Sequence, residues 1–194
     1  VSVDAVRKLW CIAALCLQAS PSLAAQWQVD ASTSKLMFEA EHAGETFKGS
    51  FPKFTATIDF DEAAPEKGKI SVTIDMARAT ADGKDRQDSL PTDDWFAAKQ
   101  FPTATFTSTA ISRGPIEKTG RANYIAKGNL AIKGIAKEIE LPFSLQTTGK
   151  STIARGSVTL NRSDFGVGGG QWKSDEWVKF PVRVFFEINA TKAQ

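Results

Sequence analysis

Residues 178–188 read VKFPVRVFFEI. Val178, Phe180, Val182, Val184, Phe186 and Ile188 fall on one side of an extended chain, and Lys179, Arg183 and Glu187 on the other. Successive side chains of a strand point to opposite faces, so this alternation marks a strand with one apolar face and one wet face. The same period recurs upstream. Phe54, Ala56, Ile58 and Phe60 alternate with Thr55, Thr57 and Asp59; Ile70, Val72, Ile74 and Met76 alternate with Ser71, Thr73 and Asp75; Ile139, Leu141, Phe143 and Leu145 alternate with Glu140, Pro142 and Ser144. Shorter versions lie at 36–40, 47–51, 104–110, 124–132 and 154–160, and turn residues such as Gly44, Pro65, Gly114, Gly134 and Gly149 separate them. At least eight regularly spaced strands read as a sandwich or a barrel.

One stretch breaks the period. Residues 82–101 (DGKDRQDSLPTDDWFAAKQF) show no alternation. They read as a short helical insertion around 82–99, with Thr92 as an N-cap and Asp93 and Asp94 in a first turn where the helix dipole favours acids. Trp95 and Phe96 then plug an end of the barrel.

The chain has 194 residues, 42% hydrophobic and 24% charged, with a formal net charge of +2. That balance gives no reason to invoke nucleic acid as a partner. Residues 1–24 read as a secretory signal peptide. Arg7 and Lys8 precede an apolar run at 9–17 (LWCIAALCL), and Ser22 and Ala24 are small residues at the cleavage positions. Nine apolar residues rise only about 14 Å as a helix, roughly half a bilayer core. The expectation is one domain over 25–194, released into the periplasm. Both cysteines, Cys11 and Cys16, lie in the leader. The rest of the chain then has no thiol nucleophile or thiolate ligand, and His42 is the only histidine. No metal site is expected, and no catalytic residue is assigned. A base role for His42 stays as an alternative, beside a structural hydrogen bond near a strand end.

An eight-stranded barrel is just wide enough to be filled by side chains or to hold one small ligand. Small residues recur among the large ones on the inward face: Ala40, Gly49, Ala56, Ala104, Ser108, Ala126, Gly128, Ala154 and Gly156. They fit either an apolar tunnel or a filled, tapered barrel, and periodicity alone leaves both open. If a tunnel, its lining is Phe38, Phe54, Ile58, Val72, Phe106, Tyr124, Leu141, Phe143, Val184 and Phe186. A polar mouth for a head group would draw on His42, Arg86, Asp88, Arg162, Asp164, Trp172 and Trp177, with arginine suited to phosphate or carbonyl oxygens. The glycine run at 166–170 leads into a strand rather than a helix, so it reads as a flexible loop and not a phosphate loop.

These pieces together resemble the YceI-like family of periplasmic polyisoprenoid-binding, lipocalin-like proteins. The resemblance is carried by Trp27-Gln28-Val29-Asp30 with Ser34 and Phe38, and by His42 with Gly44. It continues in Gly49-Ser50-Phe51-Pro52-Lys53-Phe54, Phe101-Pro102 with Ala104, Phe106 and Ser108, residues 128–134 (GNLAIKG), and Asn161-Arg162-Ser163-Asp164-Phe165-Gly166. It spans nearly the whole chain after the leader. Ser89 stands where the family often has histidine, and Ala131 where it often has threonine; the first departure bears on the head group. The resemblance implies an all-β fold, an extended eight-stranded antiparallel barrel that holds an isoprenoid-type or quinone-like lipid in its pore. It further implies periplasmic transport or storage rather than catalysis. An inner-membrane redox or lipid enzyme is an expected partner, and a homodimer a possible assembly. A filled barrel serving an envelope stress response, or an enzyme acting on such a lipid, are the alternatives.

Overall fold

The computed structural model describes residues 26–115 and 122–193; the leader assigned to 1–24 lies outside them. Eleven strands follow in chain order: β1 Gln26–Val29, β2 Lys35–His42, β3 Glu45–Ser50, β4 Phe54–Asp59, β5 Lys69–Asp75, β6 Thr80–Ala81, β7 Thr103–Arg113, β8 Ala122–Ile132, β9 Ile135–Thr148, β10 Ser151–Asn161 and β11 Pro181–Lys192. All pairings are antiparallel. The ring runs β1–β4–β5–β7–β8–β9–β10–β11 and closes where Trp27 of β1 pairs with Lys192 of β11. This is a closed, eight-strand barrel, and closure removes the sheet edges that would otherwise invite aggregation.

Three of the eight staves are broken in the middle. β1 and β2 both pair with β11, through Val29–Ala190 and Val184–Phe38, so they form one stave interrupted at residues 30–34. Asp30 makes the interruption: its carboxylate accepts from Ser32 N at 2.9 Å and Ser32 Oγ at 2.6 Å, an Asx turn. β3 and β4 form the second stave, broken at Pro52, which has no N–H to give to a ladder. β5 and β6 form the third, broken by a 3-10 turn at Met76–Arg78 in which the Asp75 carboxylate accepts from Ala77 N.

The two ends of the barrel differ. At one end residues 60–68 join β4 to β5 and a tight turn at Gly149 joins β9 to β10; we call this the hairpin end. At the other, residues 76–102 and 162–180 cover the opening; this is the loop end. The single α-helix among the described residues, α1 Lys84–Ser89, belongs to the loop end. It begins at Gly83 (φ 87°), not at Thr92. Thr92 lies past the helix, where its hydroxyl donates to Ser89 O at 2.7 Å, and residues 92–101 form successive turns. Pro91 accounts for the end of α1, since its ring and missing N–H cannot continue that helix.

Candidate functional site

The barrel interior holds an apolar cavity of about 1380 Å³ with its open mouth counted. About 190 Å³ of that admits the centre of a water-sized sphere, against roughly 10–15 Å³ for a single water. Among the described residues its lining has only two polar side-chain groups, and each is engaged elsewhere. Trp27 Nε1 donates to Phe60 O at 2.9 Å, and Thr152 Oγ1 is bonded to Thr147 Oγ1 at 3.0 Å. A guest in this space meets methyl, methylene and aromatic surface only. Each CH₂ it buries contributes roughly 0.8 kcal/mol, with no compensating hydrogen bond for a buried polar group.

Eight of the ten residues expected to line a tunnel do so: Phe54, Ile58, Val72, Phe106, Leu141, Phe143, Val184 and Phe186. Phe38 and Tyr124 do not. Phe38 is packed at the loop end against Phe51 and Phe47, at ring distances of 5.3 and 6.3 Å. Tyr124 is packed at the hairpin end, 5.0 Å from Phe60 and stacked on Phe143 at 5.4 Å. Both have inward parity, but neighbouring rings separate them from the cavity.

The small inward residues have a physical use that their neighbours reveal. A Cβ on Gly49 would come within 2.2 Å of the Phe38 ring, one on Gly156 within 2.6 Å of Phe186, and one on Gly128 within 2.9 Å of Phe106. In each case an aromatic ring of an adjacent strand lies over the glycine, flat against the wall. Two of these rings, Phe106 and Phe186, line the cavity. With a side chain beneath them they would swing into the bore, so the glycines keep the lumen open.

None of the seven residues expected at a polar mouth lines the cavity. They lie at the loop end. Arg162 is 4% exposed, and its guanidinium donates to four backbone carbonyls: Nε to Lys179 (3.1 Å), Nη1 to Val167 (2.9 Å), and Nη2 to Ser174 (2.8 Å) and Val178 (2.7 Å). Burial lowers its pKa, opposed by the charge of Asp175. It is the internal post around which residues 162–180 fold. Gly168 is required beside it, because a Cβ there would lie 1.8 Å from Nη1 and the backbone has φ 89°. Asp164 is exposed and does not pair with Arg162. Arg86 lies over the Phe47 ring at 4.7 Å, and Asp88 pairs with Lys84. His42 meets the edge of Trp172 at 6.1 Å, Trp172 packs on Trp95 at 5.8 Å, and Trp177 is 54% exposed.

Lys133 is a loop-tying side chain of this end that periodicity did not single out. At φ 50° it turns the β8–β9 hairpin, and its Nζ donates to Asp93 O at 2.6 Å and Gly166 O at 2.9 Å. Asp94 O in turn accepts from Gly168 N and Gly169 N at 2.8 and 2.6 Å. Three loops are thereby held together by main-chain oxygens. The signal available in the sequence was the lysine before Gly134, which marks a tight turn but does not name its targets.

Comparison with known proteins gives one answer. A YceI-like domain profile matches residues 27–190. A UPF0312 protein of Photorhabdus laumondii is 32% identical over 140 residues, covering 71% of this chain and 70% of its own. The crystal structure of BcnA from Burkholderia cenocepacia superposes with a TM-score of 0.78 at 34% identity, over 84% of this chain and 100% of that one. A polyisoprenoid binding domain from Saccharophagus degradans shares the fold, with a TM-score of 0.63 at 15% identity over 88% of this chain and 99% of that one. With its closed antiparallel barrel, its apolar bore and a match across 27–190, the chain belongs to the YceI-like family.

Proposed function

We propose that this protein binds one long-chain amphiphilic lipid, of polyisoprenoid or isoprenoid-quinone type, and stores or ferries it across the periplasm without changing it chemically. The observation that carries this reading is the cavity lining: a wall of apolar side chains whose two polar atoms are already bonded. Such a lining takes a hydrocarbon chain and rejects a head group, which has to stay outside. The relative described as a polyisoprenoid binding domain, sharing the fold, supports the ligand class. A filled-barrel interaction module fits less well, because the bore is open. An enzyme with His42 as base fits less well too, because His42 packs on Trp172 at the loop end and does not line the cavity. A membrane-bound redox or lipid enzyme at the inner membrane is the natural donor or acceptor of such a cargo, and a homodimer is compatible with it.

The test is native mass spectrometry of the protein isolated from its own periplasm, followed by identification of whatever is released on denaturation. A stoichiometric isoprenoid or quinone mass is expected. A bare polypeptide mass that stays unchanged after incubation with such lipids would overturn the carrier reading.

A further inference from the structure

Aromatic side chains narrow the cavity toward both ends. Phe60, Tyr124 and Phe143 pack together toward the hairpin end, and Phe38, Phe51 and Phe96 toward the loop end. The wall itself is thin in one place. Among the described residues β1 and β4 share two rungs, Gln26–Asp59 and Trp27–Ile58. Above them the staves part, because the Asp30 turn leads one away and Pro52 withholds an N–H from the other. They rejoin only where Phe51 N donates to Leu36 O at 2.8 Å. Outside this seam lies an open recess of about 950 Å³ with its solvent space counted. Trp27, Ala56 and Ile58 line both the recess and the inner cavity.

We propose that the lipid enters sideways through the β1–β4 seam and that its head group, uncharged and bearing hydroxyl or carbonyl oxygens, rests in the recess outside. The proposal rests on the carrier reading above. The three shared side chains form the threshold, with one surface toward the bore and one toward the outside. Apart from Val29, the rest of the recess is lined by residues with polar side chains: Gln26, Gln28, Asp30, Thr57 and Thr191. The glutamine amides and threonine hydroxyls donate to and accept from neutral oxygens. No lysine or arginine is among its described lining residues, and Asp30 is. The Asp30 carboxyl is held below its ordinary range, chiefly by the Ser32 hydroxyl and then by Thr33, so it stays anionic. Beside the lower rung, Asp59 Oδ1 is buried without a hydrogen-bond partner in the protein. A phosphate or pyrophosphate head in the recess would lie against the Asp30 carboxylate with no lysine or arginine in the described lining, whereas a neutral head carries no such repulsion.

The experiment zips the seam. Val29 and Ala56 come opposite each other when the register of Trp27–Ile58 is continued by two residues. Val29→Cys with Ala56→Cys, in a full chain carrying Cys11→Ala and Cys16→Ala, allows one disulfide across the seam. Uptake of octaprenol from detergent micelles is followed by native mass spectrometry. The oxidised protein is expected to load at least about tenfold more slowly than the same protein after dithiothreitol. Equal rates in both states would overturn the lateral route and leave cavity binding standing. Failure of the unmodified chain to take up octaprenol would overturn the carrier reading, and this proposal with it. A second variant needs no disulfide. Gln28 is exposed, and Gln28→Lys is expected to raise the affinity for octaprenyl phosphate relative to octaprenol by about tenfold, as a cation meets the phosphate. An unchanged ratio would place the head group elsewhere and overturn the recess.

Discussion

The hairpin end and the loop end close the same barrel by different physics. At the hairpin end, Phe60, Tyr124 and Phe143 meet edge-on and stacked at 5.0 to 6.0 Å. Water is excluded there by side-chain contact, which is strong, short-ranged and indifferent to the order of the chain. At the loop end, the guanidinium of Arg162 and the ammonium of Lys133 hold six main-chain oxygens of residues that have no ladder of their own. One end is a plug of carbon. The other is a set of loops tied to two cations, with Trp95 and Trp172 packed beneath. A plug fails locally by leaving a hole, whereas a tied loop fails by letting go of a whole segment.

Four changes would break or sharpen this contrast. The largest effect is expected from Phe60→Ala, about 3–5 kcal/mol of lost stability in urea denaturation, as for other large-to-small changes in a packed core. Its increase in hydrogen exchange should stay near the hairpin end. Arg162→Met should follow at about 2–4 kcal/mol, because four carbonyls lose a charged donor together. Here hydrogen exchange should rise across 162–180 and through residues 90–101 that those loops clasp, with the hairpin end unmoved. If the two variants loosened the same amides, the ends would not be independent.

Gly156→Ala tests the bore between them. Its Cβ would meet Pro142 O at 2.5 Å and the Phe186 ring at 2.6 Å. The cost should be about 1–3 kcal/mol, as in other overpacked sites, and the rotated ring should cut lipid occupancy in native mass spectrometry.

The smallest effect at neutral pH is expected from Tyr124→Phe, below about 1 kcal/mol. Its signature lies in alkali. Burial raises the Tyr124 pKa above its ordinary value of 10.0, with the Glu62 charge acting in the same direction and Arg113 against it. The folded state therefore keeps its proton where the unfolded chain has begun to lose it. The contribution is fully present below pH 10 and is lost as pH rises through the folded pKa. Denaturation midpoints should fall above that pH in the parent more steeply than in Tyr124→Phe. Tyr124 is the only tyrosine, so tyrosinate absorbance reports this one residue directly.

The same contrast explains what was legible in the sequence. Alternation in Val182, Val184, Phe186 and Ile188, and in Phe54, Ala56 and Ile58, gives the face each side chain takes, and with it the barrel wall. It does not give height. Phe38 and Tyr124 share parity with Phe54 and Phe143, yet they meet other rings and lie outside the cavity lining, because whether an inward residue faces space depends on its neighbours across the barrel. The loop end was less legible still. Arg162 and Lys133 address backbone oxygens of Val167, Ser174, Val178, Lys179, Asp93 and Gly166. A carbonyl oxygen is present at every residue, so no pattern of side chains announces which ones are used. The seam was illegible for a similar reason: it arises where pairing stops, and Gln26 and Gln28 look like ordinary outward residues of a strand.

The rung between Trp27 and Lys192 has a consequence for the order of synthesis. Every other stave pairs with a neighbour close in sequence, so most of the sheet can assemble as successive hairpins while the chain emerges. The first stave, however, waits for the last, across more than 160 residues. Until β11 is released, a nascent chain carries two unpaired edges and a half-open trough of apolar wall. Timing is thus built into the topology: the barrel cannot close before the twelve residues of β11 exist.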